Sequence, residues 1–336
     1  MKNRVSVLIA FYNQEKYVDR ALSSVLNQKA EFGIKVLVGD DGSTDDTQAI
    51  VKQWIKKYPG KIELYVMNRI SGKHIAGFRA SKNRINLLKH VDTEYFIFLD
   101  GDDYFYYEGK LQRQVEILDN PENSDCIACG HNTDMLFPDG RRVPITSTKI
   151  NEGKFSPKEY WYKTYFHTDT LLTRSLVISH INLKLLENNF NDNLITFSFI
   201  QCGKLYYIPE SWVVYVQTGD GIWTSGKEVV NNIRNMFLYD LSNIINPKMK
   251  RQTTRRFQGT WFALLRLRKQ MDPALLQEFS DEAEDKKMNN SYKWIHYKEL
   301  SFVQKQVLCT LALSKCWKNI IKSMLVNVYH VVLKRK

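Results

Sequence analysis

Short apolar runs alternate with amphipathic segments through the first hundred residues of the chain. Runs rich in β-branched and aromatic residues predict buried strands, and segments with apolar positions three and four apart predict helices. The predicted strands cover residues 5–11, 34–39, 62–67 and 95–100. The predicted helices cover residues 17–26, 43–58 and 75–90, with Ser43 as the N-cap of the second. This alternation is typical of an α/β fold in which flanking helices cover a mostly parallel sheet.

Beyond residue 104 the pattern is less regular. A helix is predicted over residues 108–118, followed by a hairpin over 125–135 and 141–145. A further helix begins at Pro157. Residues 194–202 predict another helix, and residues 205–208 and 213–216 predict two short strands separated by Pro209. From residue 228 onward only helical patterns occur.

Charge is distributed unevenly along the chain. Residues 1–225 hold 27 Lys and Arg and 27 Asp and Glu, whereas residues 226–336 hold 21 and 9. The whole formal charge of +12 therefore lies in the last third. This asymmetry predicts two domains, 1–225 and 226–336, and an anionic partner for the second.

The remaining composition is that of a folded protein with a sizeable core, since 43% of the residues are hydrophobic. Among the five cysteines, Cys126 and Cys129 form a C-x-x-C without the second pair of ligands that a zinc site needs. This pattern favours a reduced, cytosolic protein. We expect neither a signal peptide nor a membrane-spanning helix, because no apolar run reaches about 18 residues.

The strand over residues 95–100 ends in Asp100-Gly101-Asp102-Asp103. Clustered carboxylates at the tip of a buried strand repel one another and are costly to desolvate, so a cation is expected there. A divalent metal that carries a diphosphate accounts for them, because hard cations take oxygen ligands. For an isolated Asp-Gly-Asp, a solvated acidic turn is an equally good interpretation.

Two further features favour the metal and diphosphate. Ligands on parallel sheets bind beyond the carboxyl ends of the strands, where Asp41 is also predicted to lie. The predicted helix before the acidic strand carries Arg79, Lys82 and Arg84, and such cations neutralise phosphate charge. Taken alone, Lys82 is typical of a solvated helix residue.

Three sequence blocks resemble a known enzyme family. They are residues 7–17 (VLIAFYNQEKY), 38–45 (VGDDGSTD) and 98–103 (FLDGDD). In order, spacing and placement at strand ends, they resemble the family-2 inverting glycosyltransferases of the GT-A fold, of the bacterial polysaccharide type. The resemblance covers about residues 4–220. It implies a UDP-sugar donor and Mg²⁺ or Mn²⁺ as the cofactor.

The resemblance also implies roles for individual residues. Asp41 would hydrogen-bond the uracil edge, and Asp102 would hold the metal ion against the diphosphate. Lys82 stands where the family has arginine, which keeps the charge but loses the bidentate fork. The implied donor-binding residues are Phe11, Asn13, Glu15, Asp41, Asn68, Lys82, Asp100 and Gly101.

An inverting transfer needs a carboxylate that takes the proton from the acceptor hydroxyl. The family usually supplies it from a pair of acids at a helix start, and the matching segment here contains Asp192-Asn193. Asp192 is the predicted base. Alternatively the base position is Asn193, and the protein is a catalytically impaired nucleotide-sugar-binding or scaffold protein. As a third alternative, Asp192 only caps the following helix.

Two residues are candidates for the acceptor side. His167 is either an acceptor contact or a structural histidine. Trp223, on a glycine-rich loop, is suited to stacking on a sugar ring, and a buried loop anchor is an equally good interpretation.

The last 36 residues, 301–336, contain seven Lys and Arg and no acid. Apolar and basic positions fall on different helical faces, which predicts either an interfacial helix on an anionic membrane or a helix packed on the protein. Nucleic acid is not an expected partner, because its recognition motifs are absent.

Together these observations predict a metal-dependent inverting hexosyl- or N-acetylhexosaminyl-transferase. Its acceptor would be a glycan or a lipid-linked saccharide, in cell-surface polysaccharide synthesis. The expected location is cytoplasmic, peripheral on the inner face of the cell membrane. A nucleotidyltransferase would also bind a metal ion at the ends of the strands. It would normally carry a glycine-rich phosphate loop after the first strand, however, and Phe11–Glu15 is not such a loop.

Overall fold

A computed structural model describes residues 1–68, 78–145, 150–157, 159, 167–187, 189, 192–218, 228–249, 260 and 273–295 of the chain. The chain divides into two compact units, Met1–Gly226 and Lys227–Lys336. All the strands among the described residues belong to the first unit.

The first unit is built around one mixed sheet. Its strands are β1 (Asn3–Phe11), β2 (Gly33–Asp40), β3 (Ile62–Val66), β4 (Tyr95–Asp100), β5 (Tyr104–Phe105), β6 (Cys126–Leu136), β7 (Arg142–Pro144), β8 (Gly153–Phe155), β9 (Leu172–Arg174) and β10 (Lys204–Val216). Their order is β3-β2-β1-β4-β9-β6-β10-β5, with β7 paired to β6 and β8 to β10. Strands β3, β2, β1 and β4 are mutually parallel, which confirms the predicted fold class.

Helices cover this sheet. Those of the first unit are α1 (Val18–Leu26), α2 (Thr47–Lys57), α3 (Phe78–Leu88), α4 (Lys110–Asp119), α5 (Leu183–Leu186) and α6 (Asp192–Phe199). Alternate residues of β4 point to opposite faces, so Ile97 lies in the cluster that includes Val18 of α1 and Leu111 of α4. On the other face, Phe96 meets Phe199 of α6 edge to face, with ring centroids 5.6 Å apart.

The register of the parallel strands determines where their loops meet. Phe11 pairs with Asp40, and Ala10 pairs with Asp100. Strands β1, β2 and β4 therefore end at one edge of the sheet, as the sequence predicted.

Helix α2 begins at Thr47 with Asp46 as its N-cap, so the prediction of Ser43 as the N-cap is wrong. The Ser43 hydroxyl donates instead to Asp40 at 2.5 Å and accepts from the Asn13 amide at 2.9 Å. The side chain is used to join two loops, and the helix therefore starts later.

The second half also departs from the predicted elements. Strand β10 continues through Pro209, where two separate strands were predicted. Its pairing with β6 shifts register between Ile208 and Ser211, which accommodates a residue that has no N–H to donate. The hairpin of β6 and β7 is confirmed. The short strands β5, β8 and β9 were not predicted, because two or three residues carry no periodicity.

The second unit contributes helices α7 (Glu228–Ile245), α8 (Pro273–Asp285) and α9 (Asn289–Ile295). Phe237 and Phe279 pack edge to face at 5.5 Å, and the Asp240 carboxylate accepts from the amide and hydroxyl of Ser291, both at 2.7 Å. The basic segment 301–336 lies outside the described residues. No helix in the described part of the chain is both long enough and apolar enough to span a bilayer.

Candidate active site

The loops that follow β1 and β2 are joined directly at the sheet edge. The amide of Asp41 donates to the carbonyl of Phe11 at 3.0 Å. Phe11 is buried, and its ring lies against Gly101, where an added Cβ would stand 2.2 Å from the ring carbon Cδ1. Only glycine allows this close approach, so the sequence-predicted residues Phe11 and Gly101 pack on each other.

Asn13 and Glu15, in the loop after β1, form hydrogen bonds with the loop after β2. Asn13 has a φ of 49°, a conformation that asparagine tolerates better than most residues. Its side-chain oxygen accepts from the Thr44 amide at 2.9 Å, and the Glu15 carboxylate accepts from the Asp46 amide at 3.0 Å. Both predicted donor-binding side chains thus also determine the shape of the loop.

The two adjacent acids at the end of β2 have different partners. Asp40 is buried and accepts from the Ser43 amide and from Gln48 Nε2, at 2.8 and 2.7 Å, which makes it a structural residue of the turn. Asp41 faces Arg79 of α3, whose Nε and Nη2 lie 3.0 and 2.8 Å from its Oδ1. The Asp41 carboxylate raises the pKa of the Arg79 guanidinium.

Helix α3 supplies three functional side chains with different environments. Lys82 is exposed, whereas Asn83 is buried and donates to the Gly39 carbonyl at 2.9 Å, which anchors the helix to β2. Arg84 forms an ion pair with Asp100. Asn68, after β3, is exposed. Among the described residues of α3, Arg79 and Arg84 form ion pairs with predicted acids.

The acidic turn after β4 contains three carboxylates in different settings. Asp100 faces Arg84, and Asp102 is partly buried. Asp103 is fully buried, and its Oδ1 accepts from the Val216 amide of β10 at 2.8 Å. The Asp103 amide in turn donates to the Asp100 carbonyl at 3.0 Å, which closes the turn. Asp103 therefore ties the turn to the sheet.

A second acidic group approaches from the short 3₁₀ helix Thr168–Thr170. Asp169 is fully buried, and its Oδ1 accepts from the Asp100 amide at 3.3 Å. His167 lies between carboxylates, with Nδ1 3.3 Å from Asp169 and Nε2 3.6 Å from Asp192. The Thr168 hydroxyl donates to Asp192 at 3.2 Å. The structure thus brings the predicted base and the predicted acceptor-side histidine together.

Burial and mutual repulsion change the acidity of this cluster. Burial, reinforced by the charge of Asp100, raises the pKa of Asp102 to about 6. The pKa of Asp103 is raised well above its ordinary value by burial and by Asp169. Burial lowers the pKa of His167, but Asp169 and Asp192 outweigh it and raise the value to about 10. The neighbouring cations therefore do not fully neutralise the carboxylates of this cluster.

This donor set fits a divalent metal ion. The Asp103 Oδ2 atom is buried and has no hydrogen-bond partner among the described residues. Ligand atoms of Asp100, Asp103 and His167 lie within 4.8 Å of one another, so these residues could hold an ion. The carboxylate oxygens in this group suit Mg²⁺ or Mn²⁺. The predicted ligand Asp102 lies in the same turn but is not part of that group.

Several residues at this site were not predicted from the sequence. Asp169 and Tyr215 lie beside His167, with the Tyr215 and His167 ring centroids 4.9 Å apart. Arg20 of α1 donates to the Asp102 carbonyl at 2.8 Å. A lone acid, tyrosine or arginine on a strand or helix gives no sequence signal. Trp223 lies outside the described residues.

Comparisons with solved structures support the fold. The structure of S. aureus TarS 1–349 in complex with UDP-GlcNAc superposes with a TM-score of 0.61 at 19% identity, covering 84% of this chain and 80% of that one. A mannosyltransferase from Pyrobaculum calidifontis, in complex with GDP-Man and Mn²⁺, gives a TM-score of 0.50 at 15% identity over 95% and 88% of the chains.

Curated relatives match about two thirds of the chain. An uncharacterised protein of Mycobacterium bovis is 26% identical over 66% of this chain and 61% of its own length. The poly(ribitol-phosphate) beta-N-acetylglucosaminyltransferase TarP of Staphylococcus aureus is 27% identical over 65% of this chain and 63% of its own. The chain thus spans a little over six tenths of the length of these relatives. Residues 6–180 match the family described as glycosyl transferase family 2, which is more than half of the chain. The protein therefore belongs to glycosyl transferase family 2 and has the GT-A fold that the sequence blocks implied.

Proposed function

We propose that this protein transfers a sugar from a UDP-sugar to a hydroxyl group of a glycan or lipid-linked saccharide, with inversion at the anomeric carbon. The observation that carries the proposal is the meeting of three strand-end acids, Asp41, Asp100 and Asp102, with a candidate base at one edge of the sheet. The nucleotide, the leaving group and the acceptor each require one of these groups.

The donor pocket is proposed to lie between the loops after β1 and β2. Phe11, Asn13 and Glu15 would line it, and Asp41 would accept from the uracil edge. Crystal structures of S. aureus TarS contain UDP-GlcNAc and UDP, which supports a uridine nucleotide. Lys82 is exposed beside this region and would meet the donor phosphates.

Asp102 is proposed to hold Mg²⁺ or Mn²⁺, as the resemblance implies. The group of Asp100, Asp103 and His167 is the alternative set of ligands for the ion. When bound, such an ion neutralises charge on the leaving diphosphate. Asp103 cannot move freely, because the Val216 amide holds it. The protein thus presents the carboxylates in a preorganised arrangement, which lowers the cost of developing charge.

Asp192 is proposed as the base. The acceptor O–H proton passes to the Asp192 carboxylate while the acceptor oxygen forms a bond to the anomeric carbon. The bond from that carbon to the diphosphate oxygen breaks, and its electron pair leaves with UDP. Thr168 and His167 both contact the Asp192 carboxylate, which limits the directions that its oxygens can take.

The sugar is proposed to be a hexose or an N-acetylhexosamine, and the process to be cell-surface polysaccharide synthesis. The relative TarP is a poly(ribitol-phosphate) beta-N-acetylglucosaminyltransferase, which supports an N-acetylhexosamine and a polymeric acceptor. The dTDP-rhamnosyl transferase RfbG of Shigella flexneri supports a hexose-type sugar. His167 and Trp223 are proposed for the acceptor side. Residues 301–336 are proposed to bind anionic lipid, which would keep a cytoplasmic protein at the inner membrane face.

One alternative rests on Asn193, the second residue of α6, where the family usually has an acid. In that case the protein binds a nucleotide sugar but does not transfer it.

A panel of UDP-sugars with Mn²⁺ tests the proposal. We expect UDP release with at least one donor and loss of that release in Asp192→Asn. Binding of UDP without turnover on any donor and acceptor would support the scaffold alternative, and absence of UDP binding would contradict both.

A further inference from the structure

A row of polar side chains follows one face of α1 and continues past its end. Arg20, Ser24 and Gln28 are four residues apart, so they lie one above another along the helix direction. Each contacts the backbone of the acidic turn or of the segment directly after it, more than 75 residues later in the chain.

The contacts run in register along that segment. Arg20 Nη2 donates to the Asp102 carbonyl at 2.8 Å, and Ser24 Oγ accepts from the Phe105 amide at 3.2 Å. Gln28 Nε2 donates to the Tyr107 carbonyl at 2.9 Å, while its Oε1 accepts from the Leu111 amide at 3.1 Å. Helix α1 therefore holds the backbone from the acidic turn to the first turn of α4.

Arg20 is the member of this row that reaches the acidic turn. Its guanidinium lies over the Tyr104 ring at 4.7 Å and over the Tyr17 ring at 5.4 Å. Contact with these two rings restricts the orientation of the planar guanidinium group. The hydrogen bond that it donates to the Asp102 carbonyl therefore has a defined direction. The Nε atom of Arg20 is buried and has no hydrogen-bond partner among the described residues. Such a buried, unsatisfied donor is uncommon and lowers the stability of the fold.

The contact is with the backbone of Asp102 and leaves its carboxylate free. Removing Arg20 would therefore change the position of the Asp102 backbone and, with it, the position of the carboxylate.

We propose that Arg20 is a positioning residue that fixes the Gly101–Asp103 turn from helix α1. This inference rests on the proposed function, because it assigns the metal and the donor diphosphate to that turn. Helix α1 directly follows the loop that carries Asn13 and Glu15. One rigid element thus places the nucleotide loop and the acidic turn relative to each other.

The experiment compares Arg20→Met with Gln28→Ala in the full-length protein. Gln28 lies in the same row and makes the same kind of contact, but it holds backbone five residues beyond Asp102. We expect Arg20→Met to raise the Mn²⁺ concentration for half-maximal UDP release by about 10- to 100-fold. Gln28→Ala should leave it within about twofold of the wild type, although both variants lower the melting temperature. Arg20→Lys, which keeps the charge but not the planar stack, should recover part of the loss.

Hydrogen exchange separates this inference from the proposed function, because it needs no turnover. The Asp103 amide, which donates to Asp100, should exchange faster in Arg20→Met, while the Asp41 amide, which donates to Phe11, should not change. Unchanged exchange at Asp103 would overturn the positioning role even if the enzyme is active. Equal shifts in the Mn²⁺ dependence of both variants would also overturn it. Faster exchange at Asp103 in a protein that never releases UDP would support the positioning role and contradict the proposed function.

Discussion

The Nε2 atom of His167 lies 3.6 Å from Oδ2 of Asp192, although the two residues are 25 positions apart in the sequence and strand β9 lies between them. The other ring nitrogen of His167 faces the fully buried Asp169. The candidate base is therefore the outer carboxylate of an acid–imidazole–acid arrangement. Its orientation depends on His167, for which the sequence left an acceptor contact and a structural role as alternatives.

Asp192→Asn should lower sugar transfer by at least about 10²-fold, because an amide cannot take the acceptor proton. The amide oxygen can still accept from the Thr168 hydroxyl, so UDP affinity and thermal stability should stay close to those of the wild type. Transfer assays and UDP titration by calorimetry measure the two effects. Asn193→Asp is the matched variant. A rise in transfer in Asn193→Asp, with no loss in Asp192→Asn, would mean that the base position is residue 193.

Asp102→Ala should abolish high-affinity Mn²⁺ binding, because alanine lacks the carboxylate that is proposed to coordinate the ion. Electron paramagnetic resonance titration of free Mn²⁺ measures this loss without relying on turnover. Asp103→Asn is the comparison, since the amide oxygen can still accept from Val216 while one ligand charge is lost. If Asp102→Ala keeps the ion and Asp103→Asn loses it, the group formed by Asp100, Asp103 and His167 holds the metal instead.

Lys82→Ala should weaken donor binding without lowering thermal stability. The side chain is exposed, so its removal leaves the packing intact, whereas a lost phosphate contact costs about 1–2 kcal/mol, or roughly tenfold in affinity. Arg79→Ala should lower both donor affinity and stability, because it breaks the bidentate pair with Asp41. UDP titration and thermal melts distinguish the two variants. Wild-type affinity in Lys82→Ala would remove this residue from the donor site.

Lys110 is fully buried beneath the sheet, where it donates to Gln114 at 2.8 Å, and burial lowers its pKa well below the ordinary value of 10.5. The unfolded chain therefore binds a proton that the folded chain binds less readily. Between the lowered pKa and 10.5, stability rises with pH, and it is lost as the pH falls. The contribution is at most about 1.4 kcal/mol per pH unit.

Lys110→Met should remove this contribution, so that urea denaturation between pH 6 and pH 9 shows a smaller rise in the free energy of unfolding. Gln114→Ala loses the same hydrogen bond but keeps the amine, and it should retain the slope of the wild type. A slope in Lys110→Met equal to that of the wild type would contradict the assignment.

Replacing Lys315, Lys318 and Lys322 by Gln in the full-length protein should reduce binding to vesicles that contain anionic lipid. Each lysine near such a surface contributes about 1 kcal/mol, so three together correspond to roughly 100-fold in the partition constant. Vesicle sedimentation at low and high salt measures the effect. Equal sedimentation of the variant and the wild type would leave the segment without a membrane role.

Much of the first unit could be predicted because its signals are local. The buried runs of β1, β2 and β4 and the motifs at their ends predicted a mostly parallel sheet and the common edge. The start of α2 was predicted wrongly because a serine is equally suited to capping a helix and to joining two loops. The short strands and the continuous β10 depend on pairing with distant partners.

The sequence by itself determined the α/β class and the family, and it named Asp41, Asp100, Asp102 and Asp192 as candidate site residues. Only the tertiary structure decided that Asp40 is structural while Asp41 faces Arg79, that Arg84 pairs with Asp100, and that Asp169 lies beneath the acidic turn. The reason is physical. Periodicity reports which side of a local element is buried, but contacts between groups tens of residues apart depend on strand register and on how helices cross the sheet.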